Sequence, residues 1–376
     1  MARLPQGVIK RADGLLQKRF TVNGKRYSVY GHTLDDLANK EQKKRLQLAA
    51  GQNTNKVITL DKYFERFIVE RGKTVKGNTL YNYKNVYRKH IHNVFGHRKV
   101  KSIEKGEIQD FQSNLLSNPK YTKTLINRIL KIFAIVMQAA MDDEIIVRNP
   151  VIGIKPIKDD EKQKATQTIH KALTEEEQEL LMQELKSQGA YYYELIGIML
   201  STGVRPGEVV ALSWKDIDTK ANVIHIRETL SKDQDGHLIF TTPKTECSLR
   251  DIPMNDTIKR VFAEQKKKYL TCCAANGLSD KIFSTPYGKI PTVQQINRDI
   301  KKAIKSLNDK GYKIDHFTCH GLRDTFATRY IEQGGSAQTL KTILGHSSLA
   351  MTMDLYSHVM PNTKQEEMNR LQIKGL

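Results

Sequence analysis

The last part of the chain carries apolar residues at helical spacing beside polar residues suited to binding a phosphate. A helix is predicted over residues 320–332, where His320 and Arg323 stand three positions apart and therefore share one face. An apolar stripe lies beside them, formed by Leu322, Phe326, Tyr330 and Ile331. Gly334 and Gly335 are expected to end this helix.

Two further short helices are predicted after these glycines. The first runs from about residue 336 to Gly345, which fits a left-handed C-cap and leaves His346 at a turn. The second begins near residue 347, and its apolar positions Leu349 and Met353 are in phase with Tyr356, which therefore faces inward. Taken alone, Tyr356 could be an ordinary core residue. Short helices around a Gly-containing turn are also typical of a DNA-reading helix-turn-helix.

Helices and short strands alternate between residues 169 and 304. Thr174 and Glu177 form a capping box that opens a helix, and a second helix ends at Gly203. Arg205 then begins another helix, whose first backbone N–H groups favour an anion. Strands are predicted at residues 223–227, 238–241 and 248–253, with Lys244 in the connection before the last one. Helices at residues 258–270 and 293–304 lead back to the C-terminal motif.

Residues 57–150 show helical periodicity throughout. The clearest amphipathic helix carries Ile126, Ile129, Leu130, Phe133, Val136, Met137 and Ala140. An earlier helix has an apolar face made of Leu80, Tyr83, Tyr87, Ile91 and Val94, and an opposite basic face made of Lys84, Arg88 and Lys89. A bundle with basic outer faces suits a grip on a duplex backbone, although such charge stripes often only keep a helix soluble.

Residues 1–50 form a small basic module of their own. Strands are predicted at residues 8–10, 15–21 and 25–30, separated by the turn signals Asp13-Gly14 and Asn23-Gly24, and Thr33 caps a following helix. The cations of these strands are Lys10, Arg11, Lys18, Arg19, Lys25 and Arg26. A solvated basic sheet is one interpretation, but DNA contact through a sheet face makes better use of so many cations.

The overall charge points to a polyanionic partner. The chain has 376 residues, a net charge of +20 and a pI near 9.6. Nucleic acid is favoured over a membrane, because no apolar run approaches the ~18 residues of a spanning helix and the N-terminus lacks a signal-peptide core.

No metal or cofactor is expected. His90 and His92 do not share an α-helical face, and no Cys or carboxylate cluster completes a site with His97. The four cysteines show no CxxC spacing. This is typical of a reduced intracellular protein without zinc or a disulfide frame.

The recurring polar residues suit DNA cleavage without hydrolysis. That chemistry needs a nucleophile that becomes covalently attached, cations that neutralise the phosphate oxygens, and an acid for the leaving 5′-oxygen. Arginine donates two parallel hydrogen bonds to a phosphate, and flanking cations stabilise a tyrosine phenolate. Two arginines can supply the neutralisation that metal ions supply in two-metal nucleases, and a phenol leaves readily enough for rejoining without ATP.

The residues Arg205, Lys244, His320, Arg323, His346 and Tyr356, in that chain order, resemble the signature of the tyrosine recombinase (phage and transposon integrase) family. The resemblance covers roughly residues 57–360 and is specific at TGVRPGE, HGLR, LGHSS and LYSH. The basic N-terminal module resembles the arm-site-binding domain of integrases that read a second DNA site. One departure is Asp324, where the family often has His, which bears on local support only.

The resemblance implies a role for each residue. Tyr356 would be the nucleophile that forms a 3′-phosphotyrosine, and Arg205 and Arg323 would clamp the scissile phosphate. Lys244 would protonate the leaving oxygen, although Lys232 competes for that role. His320 would act as a proton shuttle, and His346 would donate a hydrogen bond to the phosphate. Glu208 would brace the site without reacting.

The expected protein is multidomain and mainly α-helical with small antiparallel sheets. An α+β arm-type module at residues 1–50 would be joined by the segment GQNTN to a helical core-type DNA-binding domain at 57–150. An exposed tether at 151–168 would lead to a mixed α/β catalytic domain at 169–376 with a C-terminal tail helix, whose candidate apolar residues are Met368, Leu371 and Ile373.

The function expected from this resemblance is site-specific recombination for a mobile element. The partners would be double-stranded DNA at specific sites, a homotetramer on that DNA, and an accessory DNA-bending or excision factor, in the bacterial cytoplasm at the nucleoid. A type IB topoisomerase would share the covalent chemistry. A helix-turn-helix regulator would explain the charge but leave Arg205, Lys244 and Tyr356 without a role.

Overall fold

A computed structural model describes residues 5–12, 14–22, 24–49, 58–158, 172–243, 246–276, 280–350 and 352–353. The chain divides into two compact units, Met1–Asp160 with Asp233–Gly236, and Glu161–Lys232 with His237–Leu376. The predicted linker GQNTN, the second half of the predicted tether, Lys244, Tyr356 and the predicted C-terminal tail helix lie outside the described residues.

The first unit begins with an antiparallel sheet and one helix. Its strands are β1 (Val8–Lys10), β2 (Leu16–Val22) and β3 (Lys25–Gly31), in the order β1-β2-β3, followed by α1 (Leu34–Ala49). Thr33 Oγ1 accepts a hydrogen bond from the Asp36 amide at 3.1 Å, as the predicted cap requires. Leu16, Phe20, Val29 and Leu37 form the small core between sheet and helix.

A helical bundle makes up the rest of the first unit. Its elements are α2 (Leu60–Gly72), α3 (Gly77–Val86), a π-helix (Tyr87–Gly96), a 3-10 turn (Val100–Ser102), α4 (Lys105–Leu116) and α5 (Lys123–Asp142). The predicted α5 face is buried, with Ile126, Phe133 and Met137 fully enclosed in the bundle core. By length and composition α5 could cross a membrane, but its apolar face is the centre of this core. Helix α4 was not among the predicted elements.

The predicted apolar face that ends at Val94 is wrong at that position. Val94 is 50% exposed, whereas Phe95 is 2% exposed and packs against Phe111 and Phe133. The reason is that the helix changes to π form at Tyr87, and a π-helix bonds residue i to i+5 instead of i+4. The inward-facing position is therefore displaced by one residue.

The exposed tether predicted from residue 151 is wrong for its first part. Val151 is 6% exposed, and Ile154 and Ile157 pack against the bundle core. Asn127 on α5 exchanges two hydrogen bonds with the backbone of Ile157, both 2.9 Å long. These contacts fix residues 151–157 on the surface of α5 because apolar side chains and backbone groups are both satisfied there.

The second unit is mixed α/β. Its helices are α6 (Glu175–Ser187), α7 (Tyr193–Thr202), α8 (Pro206–Ala211), α9 (Asp256–Asn276), α10 (Val293–Asp309), α11 (Cys319–Glu332) and α12 (Ala337–Leu344). Its strands are β4 (Ile217–Asp218), β5 (Val223–Ile226), β6 (Thr229–Lys232), β7 (Leu238–Thr241) and β8 (Arg250–Pro253), with 3-10 turns at Trp214–Asp216 and Glu246–Ser248. The predicted capping box at Thr174 and Glu177 is present at the start of α6.

The strands form a three-stranded antiparallel sheet, β4-β5-β8, and a two-stranded hairpin, β6-β7. Strands β4 and β6 were not predicted, because β4 has only two residues and β6, with the sequence TLSK, carries a single apolar residue. Helices α7, α9, α10 and α11 enclose the main core of the unit, in which Leu195, Ile300 and Leu322 are fully buried.

The C-terminal motif folds as predicted through Gly345. Helix α11 ends two residues before Gly334, and Ser336 caps α12 through a hydrogen bond from the Thr339 amide to its Oγ. Gly345 is the left-handed C-cap of α12, with φ of 65°. Leu349 and Met353 are each 40% exposed, so these two positions are not buried as an inward apolar stripe would be.

Candidate active site

Arg205 is held at the N-terminus of α8 by its own helix. It occupies the N-cap position. Its backbone N–H donates to Glu208 Oε2 at 3.0 Å, and its Nη1 donates to Glu208 Oε1 at 2.8 Å. Its Nη2 donates to the carbonyl of Gly345 at 3.2 Å. The side chain stays 34% exposed. A partly exposed, fixed guanidinium of this kind can receive an anion from solvent.

Glu208 lies beneath Arg205 and is nearly inaccessible. Its carboxylate is 2% exposed, and Oε2 also accepts from Arg250 Nη2 at 2.8 Å. Burial alone would raise the Glu208 pKa, but the hydrogen bond and charge of Arg250, together with Arg205, hold that pKa below its ordinary value. Glu208 therefore stays ionised and links two arginines from different elements.

Arg323 reaches the same region from α11. It is 4% exposed, and its Nη1 and Nη2 donate to the carbonyls of Gly203 and Leu344, each at 2.7 Å. Burial, together with the positive charge of Arg205, lowers the Arg323 pKa to about 9. The guanidinium is therefore still charged at neutral pH, and an anion placed beside it would relieve its unfavourable burial.

The two histidines of the motif differ in their surroundings. His346 follows the α12 cap and is half-buried, with Nδ1 at 3.0 Å from the hydroxyl of Thr352. Thr352 is fully buried, so it fixes the orientation of the imidazole. His320 lies in the first turn of α11 and is exposed, whereas Arg323 on the next turn is buried.

The structure thus brings together Arg205, Glu208, Arg323 and the backbone beside His346. Lys244 and Tyr356 lie outside the described residues, so their positions relative to the arginines stay predictions. The competing Lys232 lies at the end of β6.

Arg250 was not predicted from the sequence. Its hydrogen bonds link strand β8 to Glu208 on α8, to the carbonyl of Ile343 on α12 and to that of Ser248 in the preceding turn. The alternating pattern of strand β8 could have indicated this role, because Arg250 and Ile252 both fall on its inward face. A cation at an inward strand position needs a buried anion, and Glu208 is that anion.

The predicted DNA-contacting cations of the N-terminal module fall on different sides of the sheet. Arg19 is exposed on the face opposite α1, and its cross-strand neighbours place Arg26 on the same face. Lys18 points toward α1, where its Nζ lies 2.6 Å from Glu41 Oε2, so it does not share the open face with Arg19 and Arg26. Arg11 lies over the Tyr30 ring at 5.4 Å. Lys10 is exposed, and the Lys25 side chain lies outside the described part of the chain.

In the helical bundle, Arg88 and Lys89 are exposed and Lys84 is partly buried. These positions are compatible with backbone contacts to a duplex, but exposure alone does not distinguish such contacts from solvation.

Comparison with known proteins assigns the class. The phage integrase family model matches residues 171–363, and the phage integrase N-terminal SAM-like domain matches residues 59–116. The chain belongs to the phage integrase family, the tyrosine recombinases.

Relatives and solved structures agree with this assignment. The transposase of transposon Tn916 from Enterococcus faecalis is 29% identical over 285 residues, which cover 73% of this chain and 68% of the relative. The ICEBs1 integrase of Bacillus subtilis is 27% identical over 299 residues, which cover 79% and 78%. The structure of the Tn1549 transposon integrase with a circular intermediate DNA has a TM-score of 0.69 at 23% identity, covering 84% of this chain and 100% of the other. At that identity it shows the shared fold.

The predicted family, fold class and enzyme class are therefore confirmed. The chain is a site-specific DNA recombinase that breaks and rejoins strands in the integration and excision of a mobile element. The topoisomerase and helix-turn-helix alternatives are not supported by these comparisons.

Proposed function

We propose that Tyr356 is the nucleophile of this recombinase and that Arg205 and Arg323 clamp the scissile phosphate. The Tyr356 hydroxyl oxygen attacks phosphorus, the bond from phosphorus to the 5′-oxygen breaks, and Lys244 donates the proton that makes this oxygen a 5′-hydroxyl. A 3′-phosphotyrosine remains. The 5′-hydroxyl of a second strand then attacks it and releases Tyr356. The phosphoester bond is conserved in each step, so ATP does not enter.

The observation that carries this proposal is the common anchoring of the two arginines. Arg205 Nη2 donates to the Gly345 carbonyl and Arg323 Nη2 to the Leu344 carbonyl, which are consecutive in the chain. The two guanidinium groups are thus held against one short backbone segment, and the charge of Arg205 lowers the Arg323 pKa. Two cations forced together in a largely buried site suit an anion that is shared between them.

The remaining residues support this anion. His346 follows the same backbone segment directly, and its imidazole would donate to a phosphate oxygen. His320, exposed on the first turn of α11, would shuttle the proton from Tyr356. Glu208 does not react, because its oxygens are occupied by Arg205 and Arg250. It orients Arg205.

The DNA partner would be gripped by several parts of the chain. Residues 1–50 form an arm-type module whose open sheet face carries Arg19 and Arg26, and residues 57–150 form the core-type domain with Arg88 and Lys89. Residues 151–168 join them to the catalytic domain at 169–376. The active assembly is a homotetramer on two duplexes, in line with the lambda integrase tetramer solved on a Holliday junction (TM-score 0.59, 17% identity, 94% of this chain and 96% of that one). It acts in the cytoplasm at the nucleoid with an accessory bending or excision factor.

The decisive experiment replaces Tyr356 by Phe. The full chain is incubated with a nicked duplex from its own element's end, and covalent protein–DNA adducts are separated on a denaturing gel. Tyr356→Phe should bind the duplex with unchanged affinity and form no adduct, because only the attacking oxygen is lost. Tyr287→Phe is the matched control, since Tyr287 is 85% exposed in the same unit and should form the adduct normally.

An adduct formed by Tyr356→Phe would overturn the assignment of the nucleophile. Peptide mapping of the linked residue on wild-type protein gives the same answer independently. Joining of two duplexes distinguishes a recombinase from an enzyme that only relaxes one. Affinity should also fall steeply with salt through counterion release, and a flat response would contradict phosphate contacts as the main source of binding.

A further inference from the structure

Three potential metal ligands converge in the helical bundle of the first unit. Asp61 lies in the first turn of α2, His92 lies in the π-helix, and His97 follows that helix directly. One donor atom from each lies within 4.8 Å of the other two. The group plays no part in the recombination chemistry proposed above.

The π-helix explains why the two histidines meet. The two histidines are five residues apart. In an α-helix this spacing puts them on different faces, roughly half a turn from each other. In a π-helix, where residues bond from i to i+5, it puts them about one turn apart and on the same face. Their ring centroids are 5.4 Å apart. The carboxylate comes from a distant helix, so neither the spacing nor the third ligand is visible in the local sequence.

The carboxylate of Asp61 is oriented before any ion arrives. Tyr87 donates a hydrogen bond to Oδ1 at 2.7 Å, and the Tyr87 ring stacks on Phe64 with centroids 3.7 Å apart. Gly96 leaves room for the carboxylate, because a Cβ at that position would lie 2.3 Å from Oδ1. A buried tyrosine that fixes a ligand's carboxylate is the kind of outer partner that metal sites use.

The donor spacing suits a tetrahedral ion. His92 Nδ1 lies 2.9 Å from Asp61 Oδ1, where the two atoms share a hydrogen bond that a bound ion would replace, and His97 Nδ1 lies 3.4 Å from Asp61 Oδ2. Zinc bonds of ~2.0–2.2 Å put neighbouring ligands about 3.3–3.6 Å apart in a tetrahedron, so the donors need to separate only slightly. The side chains of His97 and His92 are 85% and 39% exposed, so water can complete the coordination. Two imidazoles with one carboxylate favour zinc or a similar transition metal over magnesium or calcium, which prefer oxygen ligands throughout.

We propose that Asp61, His92 and His97 bind a divalent transition metal ion of the zinc class. The bound ion joins the start of α2 to the end of the π-helix and so stabilises the bundle against unfolding. Its role is structural, because the three ligands belong to the helical unit and the strand-transfer chemistry above needs none of them.

The test is a zinc titration of the full-length, chelator-treated protein by calorimetry, with thermal unfolding in parallel. Wild-type protein should bind one equivalent that raises the Tm and that is lost in the double variant His92→Gln/His97→Gln. His97→Gln alone should weaken binding at least as much as loss of an outer partner does, about 10–100-fold. Tyr87→Phe keeps the stacked ring but loses the hydrogen bond, and should weaken binding about tenfold.

His225→Gln is the matched control, since His225 lies 2.6 Å from Asp251 in a two-residue pair and should leave the titration unchanged. Circular dichroism of each variant shows that it has folded. The proposal is overturned if wild-type protein shows no saturable binding, or if the double variant binds one equivalent as tightly as wild type. Both outcomes are independent of adduct formation by Tyr356.

Discussion

Replacing Arg250 by Met removes the guanidinium that strand β8 places against the buried carboxylate of Glu208. Three hydrogen bonds are lost: those to Glu208 Oε2 at 2.8 Å, to the Ser248 carbonyl at 3.1 Å and to the Ile343 carbonyl. Both charged groups are almost completely buried, with 3% and 2% of their side chains exposed. The methionine fills much of the same space, so the effect measured is electrostatic more than steric.

Removing one partner of a buried ion pair costs about 3–5 kcal/mol, because the other charge stays desolvated. Arg205 still donates to Glu208 Oε1, so the lower end, about 3 kcal/mol, is expected. For a domain of 150–250 residues each kcal/mol corresponds to about 2–4 °C, which gives a Tm lower by about 6–12 °C. Urea unfolding followed by circular dichroism provides the free energy directly.

Lys267→Met is the control, since its partner Glu264 and Lys267 itself are 61% and 72% exposed and such a pair is worth about 0–1 kcal/mol. The double variant Arg250→Met/Glu208→Gln should cost less than the sum of the two single variants, by about 0.5–3 kcal/mol. A cost for Arg250→Met no larger than that of Lys267→Met, or strict additivity in the cycle, would refute the idea that this pair is coupled.

Two other changes test the same region. The Glu208 pKa is lowered on folding, so Glu208 contributes stability above its ordinary value of 4.5 and loses it as the pH falls through the folded value. The stability gap between wild type and Glu208→Gln in urea unfolding should therefore stay constant from about pH 7 to pH 5 and narrow as the pH falls below about 4.5, and a gap that stays constant down to about pH 3 would contradict the shift. Gly203→Ala adds a Cβ 2.4 Å from Phe326 at a φ of 64°, and it should lower the free energy of unfolding by about 2–4 kcal/mol. In Gly106→Ala the added Cβ meets no atom within 4 Å, so this variant should raise the free energy of unfolding by up to about 1 kcal/mol. Equal Tm values for these two variants would show that the Gly203 cap is not tightly packed.

Helix starts, helix ends and caps were predicted from the sequence, because they depend on a few neighbouring residues. The Thr174 capping box, the left-handed cap at Gly345, the helix end at Gly203 and the helix start near Ser336 are each found where they were expected. The spacing of His320 and Arg323 also placed them correctly on one helix, α11.

Features that depend on distant residues were not predictable in this way. Arg250 is an ordinary strand residue until Glu208 is placed beneath it. Asp61 becomes a partner for His92 only because a π-helix forms between Tyr87 and Gly96. Likewise, residues 151–157 begin a stretch whose later residues are rich in lysine, and only their packing and hydrogen bonds on α5 show that they are fixed.

The two glycine caps explain how motifs far apart in sequence form one site. Gly203 ends α7 two residues before Arg205, and Gly345 ends α12 one residue before His346, with φ of 64° and 65°. Each cap directs a carbonyl at the arginine of the other motif: Gly203 accepts from Arg323, and Gly345 accepts from Arg205. Carbonyls at helix C-termini carry partial negative charge, so they hold cations without neutralising them. The arginines therefore keep full charge for a phosphate while the backbone fixes their spacing.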